Sequence, residues 1–471
     1  MFELIKYKEN SCIEENDRVW TYGEVNVLAN IVNSNIITKS LILCLCENTA
    51  YSLIGYIAFV LKGNVPILIE NDQKMEIINK IIENYNPEYI WAKESQINEL
   101  PFSEVVCRLE NYILLRLIYK YNNYFYINPI LQLLLTTSGS TGSIKFVRLT
   151  TANLLVNSYS IIDYLKINSN DVAITTLPYS YSFGLSIINT HLIAGASIQL
   201  TKFTPMNREF WDIVRKKQVT SISGVPYTFE MLKRIRFERF ELPSMRYLSQ
   251  AGGKMTAQGL AYLKQLTEEN KLSCFVMYGQ TEAAPRMSYL SQDNFELKLG
   301  SIGRAISGGN FTIRNDTGEI VESAYVKGEL VYTGPNVALG YATSRMDLAR
   351  GDDWHGILST GDLAYRDLDG FYYITGRLKR ILKIFGNRIS LDETESLLQT
   401  EFKQCEFICI GRDDLLSIGY TGEINPDVLS LFVSRILAIR KSSIKCFSVP
   451  EIPRLSNGKI NYASASFTID N

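Results

Sequence analysis

The chain has 471 residues, with 48 lysines and arginines against 49 aspartates and glutamates, and a hydrophobic fraction of 46%. That fraction excludes a disordered chain, and at about 150 residues per domain the length suggests about two to four domains. The net charge of −1 argues against a protein whose main partner is nucleic acid or an anionic membrane. The longest apolar run, 54–61, is too short to cross a bilayer, and the N-terminus shows no secretory pattern.

The eight cysteines are scattered along the chain and form no C-x-x-C pair. This spacing favours free, buried thiols over a metal site or a disulfide framework. Thiols that stay reduced are typical of the cytoplasm, so we expect a cytoplasmic protein.

Apolar runs suited to buried strands alternate with helical patterns, which predicts an α/β fold. The run Leu131–Thr136 predicts a buried strand that leads into a loop rich in Gly, Ser and Thr. The apolar spacing of 154–165 then predicts an amphipathic helix, which Thr150 or Thr151 would cap. Further strands are expected at 172–177, 198–200 and 274–277.

The pattern changes after about residue 300, where short strands and turn pairs such as Asp369-Gly370 predict a more antiparallel module. Past Gly386, Ser390 and Glu393 have the spacing of a capping box. A small C-terminal α+β unit is therefore expected, with its boundary near 377–380. The basic stretch that follows this boundary predicts a solvated face, with Arg380 and Arg388 exposed.

The loop at 136–145 reads TTSGSTGSIK. Its glycines allow close approach of the backbone to a ligand, and its N–H groups, its hydroxyls and Lys145 could cradle a phosphate. The same sequence also suits an ordinary polar turn. It does not match a P-loop, because two residues separate the glycines, and the chain contains no G-x-G-x-x-G. The candidate phosphate-binding residues are Thr137, Ser138, Gly139, Ser140, Thr141, Gly142 and Lys145.

This loop resembles the phosphate loop of the AMP-forming, adenylate-forming ligases, a family that includes acyl-CoA synthetases, aryl-acid ligases, luciferases and peptide-synthetase adenylation domains. Four more segments resemble family motifs in the same order: YGQTE at 278–282, GEL with TGPN at 328–336, STGD with YITGR at 359–377, and NGKI at 457–460. The resemblance runs along nearly the whole chain. It implies a large multi-subdomain α/β part at 1–378 and a small, mobile C-terminal α+β lid at 379–471.

The resemblance also implies roles for individual residues. Tyr278 would pack on adenine, Thr281 would contact phosphate, and Glu282 would hold Mg²⁺, which prefers carboxylate oxygen beside a triphosphate. Asp362 would bind both ribose hydroxyls with help from Arg377. Lys459 would bridge the substrate carboxylate and the α-phosphate, which makes it, with Glu282, Thr281 and Lys145, the expected catalytic set. Lys379 would be the hinge on which the lid turns.

The acid pocket implied by the resemblance contains Tyr181, Phe183, Gly252 and Gly253. Tyr181 stands where many acyl- and aryl-CoA ligases have His, and no Asp is present to bind an α-ammonium group, which disfavours a standard amino acid as substrate.

Two further features concern the glycine loop and the C-terminal unit. The proline that is usual in the glycine loop of the family is replaced by Ile144. The segment 428–450 contains four basic residues and no acidic one, which would suit an anionic acceptor.

The expected function is ATP-dependent activation of a carboxylic acid to an acyl-adenylate with release of pyrophosphate, then transfer to the thiol of CoA. A stand-alone enzyme that loads the pantetheine thiol of a separate carrier protein is the alternative. A non-catalytic nucleotide-binding interaction protein is disfavoured, because Lys145, Glu282, Asp362, Arg377 and Lys459 are all retained. The identity of the acid stays open.

Overall fold

The computed structural model describes residues 1–101, 103–119, 126–136, 144–270, 272–385, 387–455 and 458–465. The described residues form five sheets and eleven α-helices. The helices are α1 (Tyr22–Asn33), α2 (Ala50–Lys62), α3 (Met75–Tyr85), α4 (Thr151–Leu165), α5 (Ser182–Ala194), α6 (Arg208–Lys216), α7 (Pro226–Arg234), α8 (Ala257–Asn270), α9 (Gln292–Phe295), α10 (Leu391–Glu401) and α11 (Pro426–Leu437).

The strands fall into three large sheets that precede residue 378 and two small ones that follow it. They are β1 (Ser11–Glu15), β2 (Arg18–Thr21), β3 (Leu41–Cys46), β4 (Val65–Glu70), β5 (Tyr89–Lys93), β6 (Ser103–Leu109), β7 (Tyr112–Leu117), β8 (Leu131–Thr136), β9 (Phe146–Thr150), β10 (Val172–Ile174), β11 (Ser197–Leu200), β12 (Ser221–Gly224), β13 (Tyr247–Gln250), β14 (Ser273–Gly279), β15 (Arg286–Leu290), β16 (Arg304–Ala305), β17 (Asn310–Arg314), β18 (Gly328–Thr333), β19 (Tyr341–Ala342), β20 (Ile357–Arg366), β21 (Tyr372–Arg377), β22 (Ile381–Ile384), β23 (Asn387–Ser390), β24 (Phe407–Arg412), β25 (Leu415–Tyr420) and β26 (Ile444–Ser448).

The first two sheets have buried, parallel central strands with antiparallel strands at their edges. The first has the order β19-β9-β8-β4-β3-β5-β7-β6, and every residue of its inner strand β3 is buried, as expected for a strand covered on both faces. The second has the order β16-β15-β14-β13-β12-β10-β11-β1-β2. Its strands β12, β13 and β14 run parallel, so the loops that follow them open at one edge of the sheet. The predicted α/β class is confirmed.

The third sheet confirms the predicted change of pattern after residue 300. It is antiparallel throughout, in the order β17-β18-β20-β21. Its packed side includes Phe311, Leu330 and Tyr332, which share a core with Ala283 and Met287 from the second sheet. This shared core brings the ends of β14 and β20 together.

The residues after 380 have a core of their own. The hairpin β22-β23 and the sheet β24-β25-β26 enclose Leu398 of α10, Ile418 and Leu429 of α11, all fully buried. An ion pair of 2.6 Å joins Lys327 to Glu393 and ties this unit to the third sheet.

Three local predictions need correction. The strand expected at 172–177 ends at Ile174. Ser390 caps α10 by accepting from the Glu393 N–H at 3.2 Å, but the Glu393 side chain pairs with Lys327 and does not complete a capping box. Arg380 is not on a solvated face, because its side chain is 14% exposed and bonds to Asp392 at 2.5 Å and to Glu395 at 2.7 Å.

All eight cysteines are free, seven of them buried, as the scattered spacing predicted. His191 is also buried, in α5, where burial lowers its imidazole pKa. In the ranges that the structure describes, no helix combines the length and the apolar character needed to cross a membrane.

Thr150 caps α4, the helix that follows the glycine loop. Its hydroxyl accepts from the Asn153 N–H at 3.0 Å, and the Asn153 carboxamide oxygen accepts from the Thr150 N–H at 2.9 Å. We expect Thr150→Ala to lower the free energy of unfolding by about 1 kcal/mol, the usual effect of losing such a cap. Urea denaturation would measure it. Thr400→Ala, in the exposed interior of α10, is the control and should change stability much less.

Candidate active site

A buried carboxylate, Asp362, lies where β14, β20 and β21 meet. The antiparallel register places it opposite Arg377, whose Nε donates to Asp362 Oδ1 at 2.9 Å. The Tyr278 hydroxyl donates to Oδ2 at 2.5 Å, and Gln280 Nε2 donates to the same oxygen at 2.9 Å. Burial raises the pKa of the Tyr278 phenol, and the Asp362 charge raises it further, so the phenol stays protonated and can donate.

The turn before Asp362 fixes the position of this carboxylate. Gly361 adopts a φ of +70°, a conformation that suits glycine, and its N–H donates to Glu329 Oε1 at 3.2 Å. The Thr360 hydroxyl donates to the Leu330 carbonyl at 2.6 Å and accepts from the Asp362 N–H at 3.1 Å. The STGD segment therefore anchors Asp362 through its backbone.

Glu282 lies just past the end of β14, in the loop at the open edge of the second sheet. Its Oε1 accepts a hydrogen bond of 2.7 Å from the Tyr341 hydroxyl. The ammonium of Lys145 lies 3.7 Å from the centre of the Tyr341 ring. Tyr341 therefore links the candidate metal ligand to the candidate phosphate-binding lysine.

The donor set around Glu282 fits a magnesium ion shared with a nucleotide. A carboxylate offers about four acceptor positions, and the Tyr341 hydroxyl occupies one of those of Glu282. A single carboxylate of this kind suits Mg²⁺, which binds through one or two carboxylates together with substrate phosphates.

Thr281, beside Glu282, is joined to the helix that begins the acid pocket. Its hydroxyl lies 2.9 Å from the Ser182 hydroxyl of α5, and both side chains are buried. The loop after β14 and the first turn of α5 are thereby held together.

Lys459 reaches the candidate acid pocket from the C-terminal unit. Its ammonium lies 4.9 Å from the centre of the Tyr181 ring. A Cβ placed on Gly252, whose φ is +83°, would lie 2.7 Å from the Tyr181 hydroxyl and 3.5 Å from Lys459 Cε. Glycine at this position leaves room for the tyrosine and the lysine to meet.

The turn that carries Lys459 packs against the loop after β12 and against α7. The Leu455 N–H donates to the Lys459 carbonyl at 2.8 Å, and Gly458, at a φ of +79°, lies so close that a Cβ there would be 2.9 Å from Val225. The Arg454 guanidinium lies 4.9 Å from the centre of the Tyr227 ring. These contacts hold the lysine at the mouth of the pocket.

The other pocket candidates lie at the same edge of the second sheet. Phe183, in α5, packs edge-to-face on Tyr181 with ring centres 6.4 Å apart. A Cβ on Gly253 would approach the Pro226 ring at 3.2 Å, so a larger residue there would crowd α7. Lys379 lies in a short 3₁₀ turn, Leu378–Arg380, between β21 and β22.

Part of the predicted set lies outside the described residues, namely Thr137, Ser138, Gly139, Ser140, Thr141 and Gly142 of the glycine loop, with Asn457 and the side chain of Arg388. The motif analysis also missed three residues. Gln280 bonds to Asp362, and Tyr341 bonds to Glu282. Arg286 lies over the Phe183 ring. Gln280 stands inside the YGQTE motif, but nothing in the sequence indicates which side chain it or Tyr341 contacts.

Comparison with known proteins shows which enzymes this chain resembles. The model of the AMP-binding enzyme family matches residues 130–342. The chain is 28% identical over 348 residues to an oxalate–CoA ligase of Arabidopsis thaliana, covering 70% of this chain and 65% of that protein. It is also 28% identical over 333 residues to a 2-succinylbenzoate–CoA ligase of Bacillus cereus, covering 69% and 67%. The chain therefore matches about two thirds of the length of these relatives.

The fold is similar to that of o-succinylbenzoate–CoA synthetase (MenE) from Bacillus subtilis, solved in complex with its acyl-adenylate intermediate. The TM-score is 0.79, with 99% of this chain and 98% of that chain covered at 21% identity. The same synthetase has been solved with ATP and a magnesium ion. With the ordered motifs, these comparisons show that the chain is similar to AMP-forming, adenylate-forming ligases, in sequence over residues 130–342 and in fold over nearly its whole length.

Proposed function

We propose that this protein activates a carboxylic acid with ATP and transfers the acyl group to the thiol of CoA. The observation that carries the proposal is the meeting of Lys459 with Tyr181 and Gly252 at the open edge of the second sheet. Asp362 and Glu282 lie beside the loop after β14, at the same edge. A nucleotide held by the two carboxylates would present its α-phosphate to the pocket that Lys459 closes.

In the first half-reaction an oxygen of the substrate carboxylate bonds to the α-phosphorus of ATP. The bond to the bridging oxygen breaks, and pyrophosphate leaves with that electron pair. Negative charge builds on the phosphoryl oxygens, so the Lys459 ammonium stabilises the transition state more than the reactants. Magnesium, when bound with Glu282, would supply further positive charge to the phosphates. Tyr341 keeps the Glu282 carboxylate in place.

Asp362 would hold the ribose in both half-reactions. It already accepts three side-chain hydrogen bonds out of about four that a carboxylate can take. A ribose diol would therefore displace Tyr278 or Gln280 from Oδ2, and this would free the Tyr278 ring to pack on the base. Arg377 would remain on Oδ1 and balance the buried charge.

In the second half-reaction the thiol sulfur attacks the acyl carbon and AMP leaves with the electrons of the acyl–phosphate bond. The thiol proton is released, and a thioester forms.

Two functional units would share this work, 1–378 and 379–471, with Lys379 as the hinge. The proposal is supported by their separate cores: Leu398, Ile418 and Leu429 pack only with residues after 381. It is also supported by the short connection Leu378–Arg380 between β21 and β22. The buried pairs of Arg380 with Asp392 and Glu395 would fix the lid side of the hinge.

CoA is the acceptor that the relatives favour, since the two ligases named above are both CoA ligases. The basic segment 428–450, which is expected to attract CoA, is partly neutralised, because Lys441 pairs with Asp427 at 2.7 Å.

The need for ATP and CoA, together with eight free thiols, supports a cytoplasmic location.

The decisive experiment is ATP–pyrophosphate exchange across short-chain, long-chain, aryl, dicarboxylic and amino acids. Exchange with at least one acid class, followed by thioester formation with CoA, is expected. Thioester formation with a holo-carrier protein and not with CoA would show that the acceptor is a carrier protein. No exchange with any acid, from a folded protein that binds ATP, would overturn the proposal.

Removing the Tyr341 hydroxyl should raise the concentration of free Mg²⁺ at which exchange is half-maximal. Tyr341→Phe keeps the ring under Lys145 but leaves Glu282 Oε1 without its donor. Partners that orient a metal ligand typically change affinity 10- to 100-fold, and we expect about 10-fold here. The measurement is the exchange rate as a function of free Mg²⁺. Tyr159→Phe, on the exposed face of α4, is the control, and an unchanged magnesium curve for Tyr341→Phe would contradict the role of Glu282.

A further inference from the structure

Arg286, the first residue of β15, is a buried cation that lies against Phe183, one of the candidate pocket residues. It is 3% exposed, and its guanidinium carbon lies 3.9 Å from the centre of the Phe183 ring. Phe183 in turn packs edge-to-face on Tyr181, and the Lys459 ammonium lies 4.9 Å from the centre of the Tyr181 ring. The Tyr181 and Phe183 rings therefore form a chain of contacts that connects Lys459 with Arg286.

Arg286 differs from the other buried arginines of the described residues in having no carboxylate beside it. Arg148, fully buried, pairs with Asp353 at 2.5 Å, and Arg345, 3% exposed, pairs with Glu88 at 2.5 Å. Within the described ranges, Arg286 forms no ion pair, and its Nε has no hydrogen-bond partner. An arginine cannot escape this cost by losing its proton, so a buried guanidinium normally has an anion as its partner.

The groups that face Arg286 are neutral phenols. They belong to Tyr164 of α4, Tyr181 before α5 and Tyr247 of β13. Burial raises the pKa of Tyr164 to about 12, so this hydroxyl carries no charge near neutrality. Burial also lowers the pKa of the guanidinium itself, while the phenols act in the opposite direction. The phenol oxygens and the Phe183 ring solvate the cation in part, but none of them neutralises it.

The backbone of Arg286 is held firmly, which fixes where the side chain starts. Asn157 Nδ2 donates to the Arg286 carbonyl at 2.7 Å, and Asn336 Nδ2 donates to the same oxygen at 3.0 Å. The guanidinium is thus a planar group held in a fixed position, unlike a flexible charged side chain on the surface. Such a planar fork matches the two oxygens of a carboxylate.

We propose that Arg286 binds a second carboxylate at the far end of the acid substrate, so that this enzyme activates dicarboxylic acids. The inference rests on the proposed function, since Lys459 would hold the reacting carboxylate and Arg286 the other. The rings of Tyr181 and Phe183 would line the carbon chain between the two ends. A monocarboxylic acid of the same length would leave the buried guanidinium without an anion.

The test is a kcat/KM series by ATP–pyrophosphate exchange, with dicarboxylic acids from malonate to suberate, the matched monocarboxylic acids and the matched half-amides. The half-amides keep the shape and hydrogen bonding of the far end but remove its charge. We expect the best dicarboxylic acid to exceed both of its matched analogues on the order of 100-fold, the usual effect of a hydrogen bond to a charged partner. A monocarboxylic acid or half-amide that equals it would overturn the inference while leaving the proposed function in place. No exchange with any acid would instead count against the proposed function.

Two variants connect this preference to Arg286. Arg286→Met should abolish the preference and raise the rate with the matched monocarboxylic acid, whereas Arg286→Lys should retain part of it. A control, Arg304→Met, removes an exposed arginine that also lies over a phenylalanine, Phe371, outside the pocket, and it should leave the preference intact. AMP binding by calorimetry would confirm that each variant folds. A dicarboxylate preference that survives in folded Arg286→Met would overturn the assignment, and if that variant does not fold, the wild-type series and Arg286→Lys decide it.

Discussion

Lys459→Ala is expected to slow ATP–pyrophosphate exchange on the order of 100- to 1,000-fold, the usual effect of removing one charged or hydrogen-bonding group from a developing oxyanion. Thioester formation from pre-made acyl-adenylate should be nearly unchanged. The reason is that charge builds on phosphorus only in the first half-reaction, whereas the thiol attacks carbon in the second. Lys459 lies 4.9 Å from the Tyr181 ring at the pocket mouth, where the acid would meet the α-phosphate.

The two half-reactions must be assayed separately for this prediction to be sharp. Exchange of labelled pyrophosphate reports the first, and release of AMP from synthetic acyl-adenylate with CoA reports the second. Lys403→Ala removes an exposed lysine of the same C-terminal unit and should affect neither. An equal loss in both half-reactions would contradict the assignment, because it would indicate a general disturbance of the pocket or the lid.

Elements with a strong periodic pattern could be predicted from the sequence because their burial is local. The strand Leu131–Thr136 has four leucines among its six residues, and the helix Thr151–Leu165 repeats its apolar residues at helical spacing. The strand expected at 172–177 ends at Ile174, although the Thr175 N–H still donates to the Gln199 carbonyl at 3.0 Å. The two threonines that follow Ile174 fit a strand by composition, so the sequence does not reveal where regular pairing stops.

Side-chain partners were harder to predict than elements. The motifs named Asp362 and Arg377, and the register of β20 and β21 brings them together. Nothing in the motifs indicated that Gln280 shares the same carboxylate oxygen as Tyr278. Arg380 was expected on the surface because its neighbours are basic, yet Asp392 and Glu395, which follow it in α10, fold back to cover it. A run of charged residues describes the local composition of the chain, whereas the burial of each side chain depends on tertiary packing.

The difference between sequence composition and burial also explains why Arg286 was not predicted as a site residue. In the sequence it is one arginine four residues after Glu282, and nothing there indicates that the two side chains do not pair. Its lack of a carboxylate partner becomes informative only once its burial is known, because an exposed arginine needs no partner. The roles of the motif residues stay predictions, and the variants of Lys459 and Asp362 are the direct tests.

Asp362→Asn is expected to raise the KM for ATP about 10- to 100-fold, with a smaller change in kcat. Hydrogen bonds to a charged acceptor contribute about 1.5–3 kcal/mol, and each 1.4 kcal/mol corresponds to a tenfold change in affinity. Asparagine keeps the shape of the side chain but offers one acceptor oxygen where Asp362 offers two, and it leaves Arg377 without its counter-ion. The ribose would lose its best acceptor, and the local charge would become positive.

Because Asp362 is 2% exposed, the variant also perturbs the fold locally, and this must be separated from the loss of ribose binding. Arg377→Met removes the same ion pair but keeps the carboxylate, so it should weaken ATP binding less than Asp362→Asn if the carboxylate itself holds the ribose. Asp369→Asn, an exposed carboxylate in the turn between β20 and β21, is the control and should leave the KM unchanged. Equal losses for Asp362→Asn and Arg377→Met would show that the pair acts through the structure of the turn, and an unchanged KM for ATP in Asp362→Asn would remove Asp362 from the nucleotide site.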